Sequence, residues 1–306
     1  MRPETAIVEI HGKYQIHTEH YRNPAADKTI ILVNGSLATT AFFAQTVRYL
    51  QPRFNVLLYD QPYAGQSKAH NCHDRPIRKE DEAEILLELI EHFRANQVLS
   101  FSWGGAATLL ALAQRPRGIE RAVISSFAAR VNQPMRDYLE RGVNLLLAGD
   151  RDNVGRLING TIGKHLPPLL KRFNQRHISS LAEHEYLQMH FHVREVLAEE
   201  AQCYLDCAKA IEIPLLFVNG ERDEYTTAAD ARLFAEHVRQ CQFRTIADAG
   251  HFLDMEHKTA WHDTRQALLG FLQPATAVPA MATSAPLLDG QRYTAAGSRP
   301  AQRVAG

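Results

Sequence analysis

Three residues of this chain could together do chemistry that none of them could do alone. Ser102 sits among small neighbours in Ser100-Phe101-Ser102-Trp103-Gly104, Asp223 closes the run Asn219-Gly220-Glu221-Arg222-Asp223, and His251 follows Ala249-Gly250. A serine hydroxyl is almost never ionised at neutral pH, so it attacks a carbonyl only when an imidazole takes its proton as the bond forms. That imidazole needs a carboxylate on its other ring nitrogen to hold the tautomer and stabilise the imidazolium. The sequence order serine, acid, histidine is one in which such a set occurs, and it would carry out acyl transfer through a covalent acyl-serine. The oxyanion of that reaction needs two backbone N–H donors. Trp103, directly after the serine, is placed for one, and Ser36 or Leu37 for the other. Asp248 and Glu224 compete with Asp223 for the acid position, and Asp60 reads as a residue that orders the loop after it.

The elements that must position these residues can be read around them. Residues 98–101 are a short apolar run of strand length, and from Trp103 onward Gly104, Gly105, Ala106, Ala107, Leu109, Leu110 and Leu112 give the small opening and apolar stripe of a buried helix. Strand, serine and helix with no loop between them make a nucleophile elbow, whose tight turn admits only small residues two positions either side. Ser100 stands where that motif usually has glycine. Alternation predicts a hairpin over 6–10 and 14–20, and apolar runs predict buried strands at 29–33, 54–59, 121–125, 213–218 and 242–246. Helices are expected over 40–50, 80–94, 227–239 and 256–272. Strands separated by helices imply a mostly parallel sheet, and the serine, the acid, the histidine and Gly35-Ser36 all fall at predicted carboxyl ends of strands, where open α/β sheets bind ligands.

This rhythm breaks between 130 and 210, where the sequence reads as helical throughout. The expected organisation is an α/β core formed by 1–129 and 211–272, a helical cap at 130–210, and a disordered tail at 273–306, where Ala, Pro, Ser, Thr and Gly replace bulky apolar residues. Met135, Leu139, Val143, Leu145, Leu146 and Leu147 could line an acyl pocket in the cap, although packing within the cap explains them equally well.

Composition excludes several classes. The 306 residues carry a formal net charge of +0, so no overall field draws the protein to nucleic acid or anionic lipid. There is no apolar run long enough for a membrane span and no basic-then-apolar leader, which makes a cytoplasmic protein the default, with peripheral placement at the inner membrane compatible with it. The four cysteines, Cys72, Cys203, Cys207 and Cys241, have no metal-ligand spacing, and His190 and His192 splay apart on a helix. No metal and no cofactor are expected. Locally, however, no acidic residue lies between Asp152 and Glu183, while Arg156, Lys164, Lys171, Arg172 and Arg176 are basic. Lys164, Lys171, Arg172 and Arg176 are therefore candidates to dock an acidic carrier, a solvated helix face being the plain alternative.

The segments VNGSLATTAFFAQ (33–45), FNVLLYDQPYAGQS (54–67), EILLELIEHF, SWGG (102–105), NQPMRDYL, KHLPPLLK (164–171), NGERDEYTTAADARLF and GHFLDME (250–256) together resemble the hydroxyalkanoyloxyalkanoate synthase family of rhamnolipid biosynthesis, capped α/β hydrolases that take their older name from the rhamnosyltransferase step they feed. The resemblance spans nearly all of the core and cap. It implies an acyltransferase that joins two 3-hydroxyacyl units, carried as thioesters of acyl carrier protein or coenzyme A, into a hydroxyalkanoyloxyalkanoate. It also implies the triad Ser102, Asp223 and His251, and a separate glycosyltransferase, the rhamnosyltransferase, that decorates the product and is a candidate partner. Thioesterase or carboxylesterase action would use the same triad with water as acceptor. A hydroxynitrile lyase of the fold would form no acyl-serine, and an intact triad argues against a purely binding member.

Overall fold

The computed structural model describes residues 2–198 and 202–273. Eight strands, β1 (Glu4–Ile10), β2 (Tyr14–Tyr21), β3 (Thr29–Val33), β4 (Asn55–Tyr59), β5 (Gln97–Phe101), β6 (Arg121–Ser125), β7 (Leu215–Gly220) and β8 (Cys241–Ile246), form one sheet in the order β1-β2-β4-β3-β5-β6-β7-β8. The β1–β2 and β2–β4 pairs are antiparallel, and all later pairs are parallel. The mostly parallel sheet is the one the strand rhythm predicts, and the arrangement is the α/β-hydrolase one that the resemblance implies.

Alternation along the central strands explains why they are apolar throughout. Ile31, Val33, Val98, Ile124 and Phe217 point to one face, and Ile30, Leu32, Leu99, Val123 and Val218 to the other. Each face is roofed by helices. The first carries α2 (Lys79–Phe93) and α3 (Gly104–Ala113), and the second α1 (Ala44–Leu50) and α10 (Lys258–Leu272). At about 25 cal/mol per Å² of apolar surface, burial on both sides is the main term holding the sheet together.

Between β6 and β7 the backbone forms α4 (Gln133–Leu147), α5 (Arg151–Gly160), α6 (Pro168–Ser180), α7 (Glu183–Ala198) and α8 (Gln202–Ala208). Helices α4 to α7 share their own apolar cluster, centred on Leu139, Val154, Ile178 and Tyr186, and so form a cap. Leu205 and Ala208 of α8, within the span expected for the cap, pack into the cluster under the sheet. Core and cap lie within one compact unit.

Other departures have local causes. The strand expected from 213 starts at Leu215, since Pro214 has no N–H for the ladder, although its carbonyl accepts from the Ala122 N–H at 3.1 Å. The helix expected over 227–239 is a single turn, α9 (Ala228–Ala231), that tightens into a 3-10 segment at Arg232–Glu236 and stacks Phe234 on Phe217 at 4.7 Å. The first part of the helix expected at 40–50 is likewise 3-10. The expected tail, Gln273 apart, lies outside the described residues. No helix among the described residues is long and apolar enough to cross a membrane.

Candidate active site

β5 ends at Phe101, and Ser102 turns the backbone into α3 with φ +51°, a strained value for a residue with a side chain. Its neighbours hold it there: the Ser102 N–H donates to the Ser125 carbonyl at 2.8 Å, and its own carbonyl accepts from the Gly105 N–H at 2.8 Å. Gly104 is required, because a Cβ there would lie 2.5 Å from the carbonyl oxygen of Asn34. Ser100 is fully buried and replaces the usual glycine without displacing the turn.

Asp223 and His251 arrive on the loops after β7 and β8. The Ser102 hydroxyl donates to Nε2 of His251 at 3.1 Å, and Nδ1–H of His251 donates to Oδ2 of Asp223 at 2.8 Å. This arrangement fixes the tautomer that a general base needs. All three side chains are buried, with His251 2% exposed. Burial alone would raise the Asp223 carboxyl, but the His251 ring, the Thr226 hydroxyl and the Thr226 amide outweigh it and hold the group below its ordinary value. Thr226 Oγ donates to Oδ2 at 2.5 Å, and the Tyr225 and Thr226 N–H groups donate to Oδ1. The competing acids are elsewhere: Asp248 pairs with Arg222 and Glu224 with Lys164. Asp60 orders its loop, accepting from the N–H groups of Thr40 and Gln66, both at 2.8 Å.

The Trp103, Ser36 and Leu37 residues border the same space as Ser102, and their N–H groups have no hydrogen-bond acceptor among the described residues. Trp103 stands at the start of α3, where backbone N–H groups face outward. Leu37 has φ +56°.

The triad opens into a cavity of about 370 Å³ between sheet and cap, within the range of small-molecule sites. Its walls are largely apolar. Phe101 and Phe252 hold the His251 ring edge-on at 5.3 and 5.6 Å, and the cap contributes Met135, Leu139, Leu146, Leu157 and Ile158. Of the cap residues expected to line an acyl pocket, Met135, Leu139 and Leu146 border this cavity. Val143 and Leu145 pack within the cap, and Leu147 is 61% exposed.

The basic run divides. Arg172 and Arg176 are exposed on α6, beside the half-exposed Leu169 and Phe173. Lys164 instead pairs with Glu224 at 2.8 Å, and Lys171 donates to the Lys164 carbonyl at 2.7 Å.

Three supporting residues escaped sequence reasoning. Glu256 is buried, and its carboxylate accepts from the N–H groups of Gly250 at 2.6 Å and Phe252 at 3.0 Å, bracketing His251. Ser126 donates to the His251 carbonyl at 2.6 Å. His177 of the cap donates from Nε2 to the Leu37 carbonyl at 2.7 Å. Ser126 directly follows β6 as Ser102 follows β5, a parallel that could have marked it; Glu256 and His177 carry no such signal.

A family profile described as alpha/beta hydrolase fold matches residues 28–258. The protein is 63% identical over 279 residues to an "(R)-3-hydroxydecanoyl-ACP:CoA transacylase" of Ectopseudomonas oleovorans, covering 91% of this sequence and 95% of that one. A protein of the same description from Pseudomonas aeruginosa is also 63% identical, over 91% and 93% of the two sequences. Among solved structures, an enol-lactonase from Burkholderia xenovorans superposes with a TM-score of 0.72 at 18% identity, covering 87% of this protein and 99% of that one.

Proposed function

The chain belongs to the α/β hydrolase fold family, and on that footing we propose that it is an acyltransferase in which Ser102, His251 and Asp223 move a 3-hydroxyacyl group from a carrier thioester to a second 3-hydroxyacyl unit. The observation that carries the proposal is the ordered Ser102–His251–Asp223 relay on one side of an apolar cavity covered by the cap.

In the first half-reaction His251 takes the Ser102 proton as Oγ attacks the thioester carbonyl. The tetrahedral oxyanion is held by the Trp103 N–H and that of Leu37 or Ser36, and the carrier thiol leaves with the proton from His251. In the second, His251 takes the proton of the incoming 3-hydroxyl, which attacks the acyl-serine. An ester forms and Ser102 recovers its proton. Water would give the free acid, so a transferase must exclude it, and the aromatic rings of Phe101 and Phe252 beside His251 and the cap above serve that end.

The transacylase activity described for the 63%-identical relatives favours a second reading of the acceptor, the thiol of coenzyme A, with acyl carrier protein as donor. The first half-reaction is the same. Incubation with 3-hydroxydecanoyl-acyl carrier protein, with and without coenzyme A, and mass spectrometry of the products separates the two. A hydroxyacyl dimer ester supports the first acceptor, and 3-hydroxydecanoyl-coenzyme A the second. Free acid alone from both mixtures would leave a thioesterase. Ser102→Ala should abolish all three products, and full turnover by that variant would sink the acyl-serine route.

Arg172 and Arg176, exposed on α6, are the cations we assign to docking of the acidic carrier. A hydroxyacyl dimer product calls for a following glycosyltransferase. Co-purification from cells tests whether that enzyme binds this one, and membrane fractionation tests peripheral placement at the inner membrane.

A further inference from the structure

We propose that Gly142 sets the acyl-chain length this enzyme accepts, by leaving open the part of the cavity that any larger residue there would fill. The inference rests on the acyl-transfer reading above and assigns a residue to its specificity.

Helix α4 lines the cavity with one face, Met135, Tyr138, Leu139, Gly142 and Leu146, at the spacing of successive turns. Four of these are large. The fifth is a buried glycine in the middle of a helix, where glycine is destabilising relative to alanine.

Two structural needs usually keep a glycine in such a place, and neither applies. Its φ is not in the left-handed region. A Cβ built on it would meet only Leu157 Cδ2, at 3.7 Å, an ordinary contact. Gly104, at 2.5 Å from a carbonyl oxygen, shows what a sterically required glycine looks like in the same molecule. What the missing side chain does is leave space, and because both Gly142 and Leu157 line the cavity, the space it leaves is substrate space.

The position along the helix suits a length-selecting role. Near the start of α4, Asn132 donates from Nδ2 to the Glu224 carbonyl at 3.1 Å, and Tyr138 meets Tyr225 edge-on at 5.8 Å, so this end lies beside the loop that carries Asp223. Gly142 is ten residues beyond Asn132, about 15 Å along the helix at 1.5 Å per residue. Tyr138, one turn before Gly142, still lies beside that loop, so on the acyl-transfer reading Gly142 faces methylenes beyond the carboxyl and the 3-hydroxyl, which must remain at Ser102 and His251.

The test is a ladder of 3-hydroxyacyl-acyl carrier protein donors from six to fourteen carbons, assayed with wild type, Gly142→Ala, Gly142→Leu and Leu157→Ala. For Gly142→Leu we expect the preferred length to shorten, with kcat/KM falling least for the shortest donors and each methylene beyond the new limit costing about fourfold to tenfold. Gly142→Ala should shift the profile in the same direction by less, and Leu157→Ala should extend it to longer donors. The proposal is overturned if Gly142→Ala and Leu157→Ala both keep the wild-type profile, or if Gly142→Leu loses all lengths equally while folded by circular dichroism. Should Gly142→Leu not fold, the two smaller variants decide the matter. Failure of the acyl-transfer reading looks different: wild type itself would then transfer no donor of any length.

Discussion

The imidazole of His177, on a cap helix, donates its Nε2–H to the carbonyl oxygen of Leu37 at 2.7 Å, and Leu37 is held at φ +56°. A residue in that conformation is strained and needs its surroundings to keep it there. The contact therefore ties the cap to the loop whose Ser36 and Leu37 N–H groups we propose as oxyanion donors. For His177→Ala we expect kcat to fall by about 10- to 100-fold with KM little changed, less than the 100- to 1,000-fold typical of deleting an oxyanion donor outright. His177→Gln, which can still donate, should recover part of the loss. An effect confined to KM would assign the contact to substrate binding instead.

Glu256 does for the histidine what His177 does for the oxyanion loop. Its two carboxylate oxygens accept from the backbone on either side of His251, and the residue is buried, so little solvent is at hand to replace them. Glu256→Ala leaves two N–H groups without a partner, at about 1–3 kcal/mol each. Denaturant unfolding should show a loss of roughly 2–5 kcal/mol, and turnover should fall further than the unfolded fraction explains. Equal losses in activity and folded fraction would limit Glu256 to a stabilising role.

His192 joins α7 to the core, donating from Nε2 to the Ile77 carbonyl at 2.8 Å. Burial, with the Lys79 charge adding and Glu82 opposing, pushes it from 6.5 down to about 4. The unfolded protein takes up this proton near pH 6.5 and the folded one only near pH 4. Between those values the unfolded state holds more protons, so stability rises with pH. The contribution is fully present above about 6.5 and is lost as pH falls towards 4, a change on the order of 3 kcal/mol. His192→Gln keeps a donor without the titration, and its unfolding free energy between pH 7 and pH 4.5 should slope less steeply than that of wild type. Parallel slopes would mean that another group governs the acid limb.

The contrast between the triad and its supports shows what a sequence can reveal. Ser102, Asp223 and His251 each follow the end of a strand, and strand ends are visible as changes of period. The chemistry also demands particular residue types in a particular order. Glu256 and His177 act on backbone atoms, and any acceptor or donor that reached those atoms would serve, so nothing in their own neighbourhoods marks them. The same holds for α8. Its helical pattern is plain, but whether a helix lies on the cap or under the sheet depends on which cluster receives Leu205 and Ala208, a tertiary fact. Gly142 carries no signal of its own in a helical stretch of sequence, and only the distance from its missing Cβ to Leu157 shows it to be a space.

The basic run illustrates a further limit, because charge read along a sequence does not say which charges are already spent. Lys164 faces Glu224, the residue after Asp223, whereas Arg172 and Arg176 stand exposed on α6. One substitution in each group should therefore fail differently. Reversing Arg172 and Arg176 to Glu should raise KM for acyl-carrier-protein donors about fivefold to tenfold at low ionic strength, with the difference fading by about 0.5 M salt as screening shortens the range of the attraction. A small thioester without a carrier should be turned over as by wild type. Lys164→Glu sets like charge against Glu224 beside Asp223, so it should lower kcat several-fold with the small thioester and the carrier-linked donor alike. If the arginine variant slows the small thioester too, α6 acts through the site and not through the carrier; if Lys164→Glu affects only the carrier-linked donor, the lysine belongs to the docking face despite its partner.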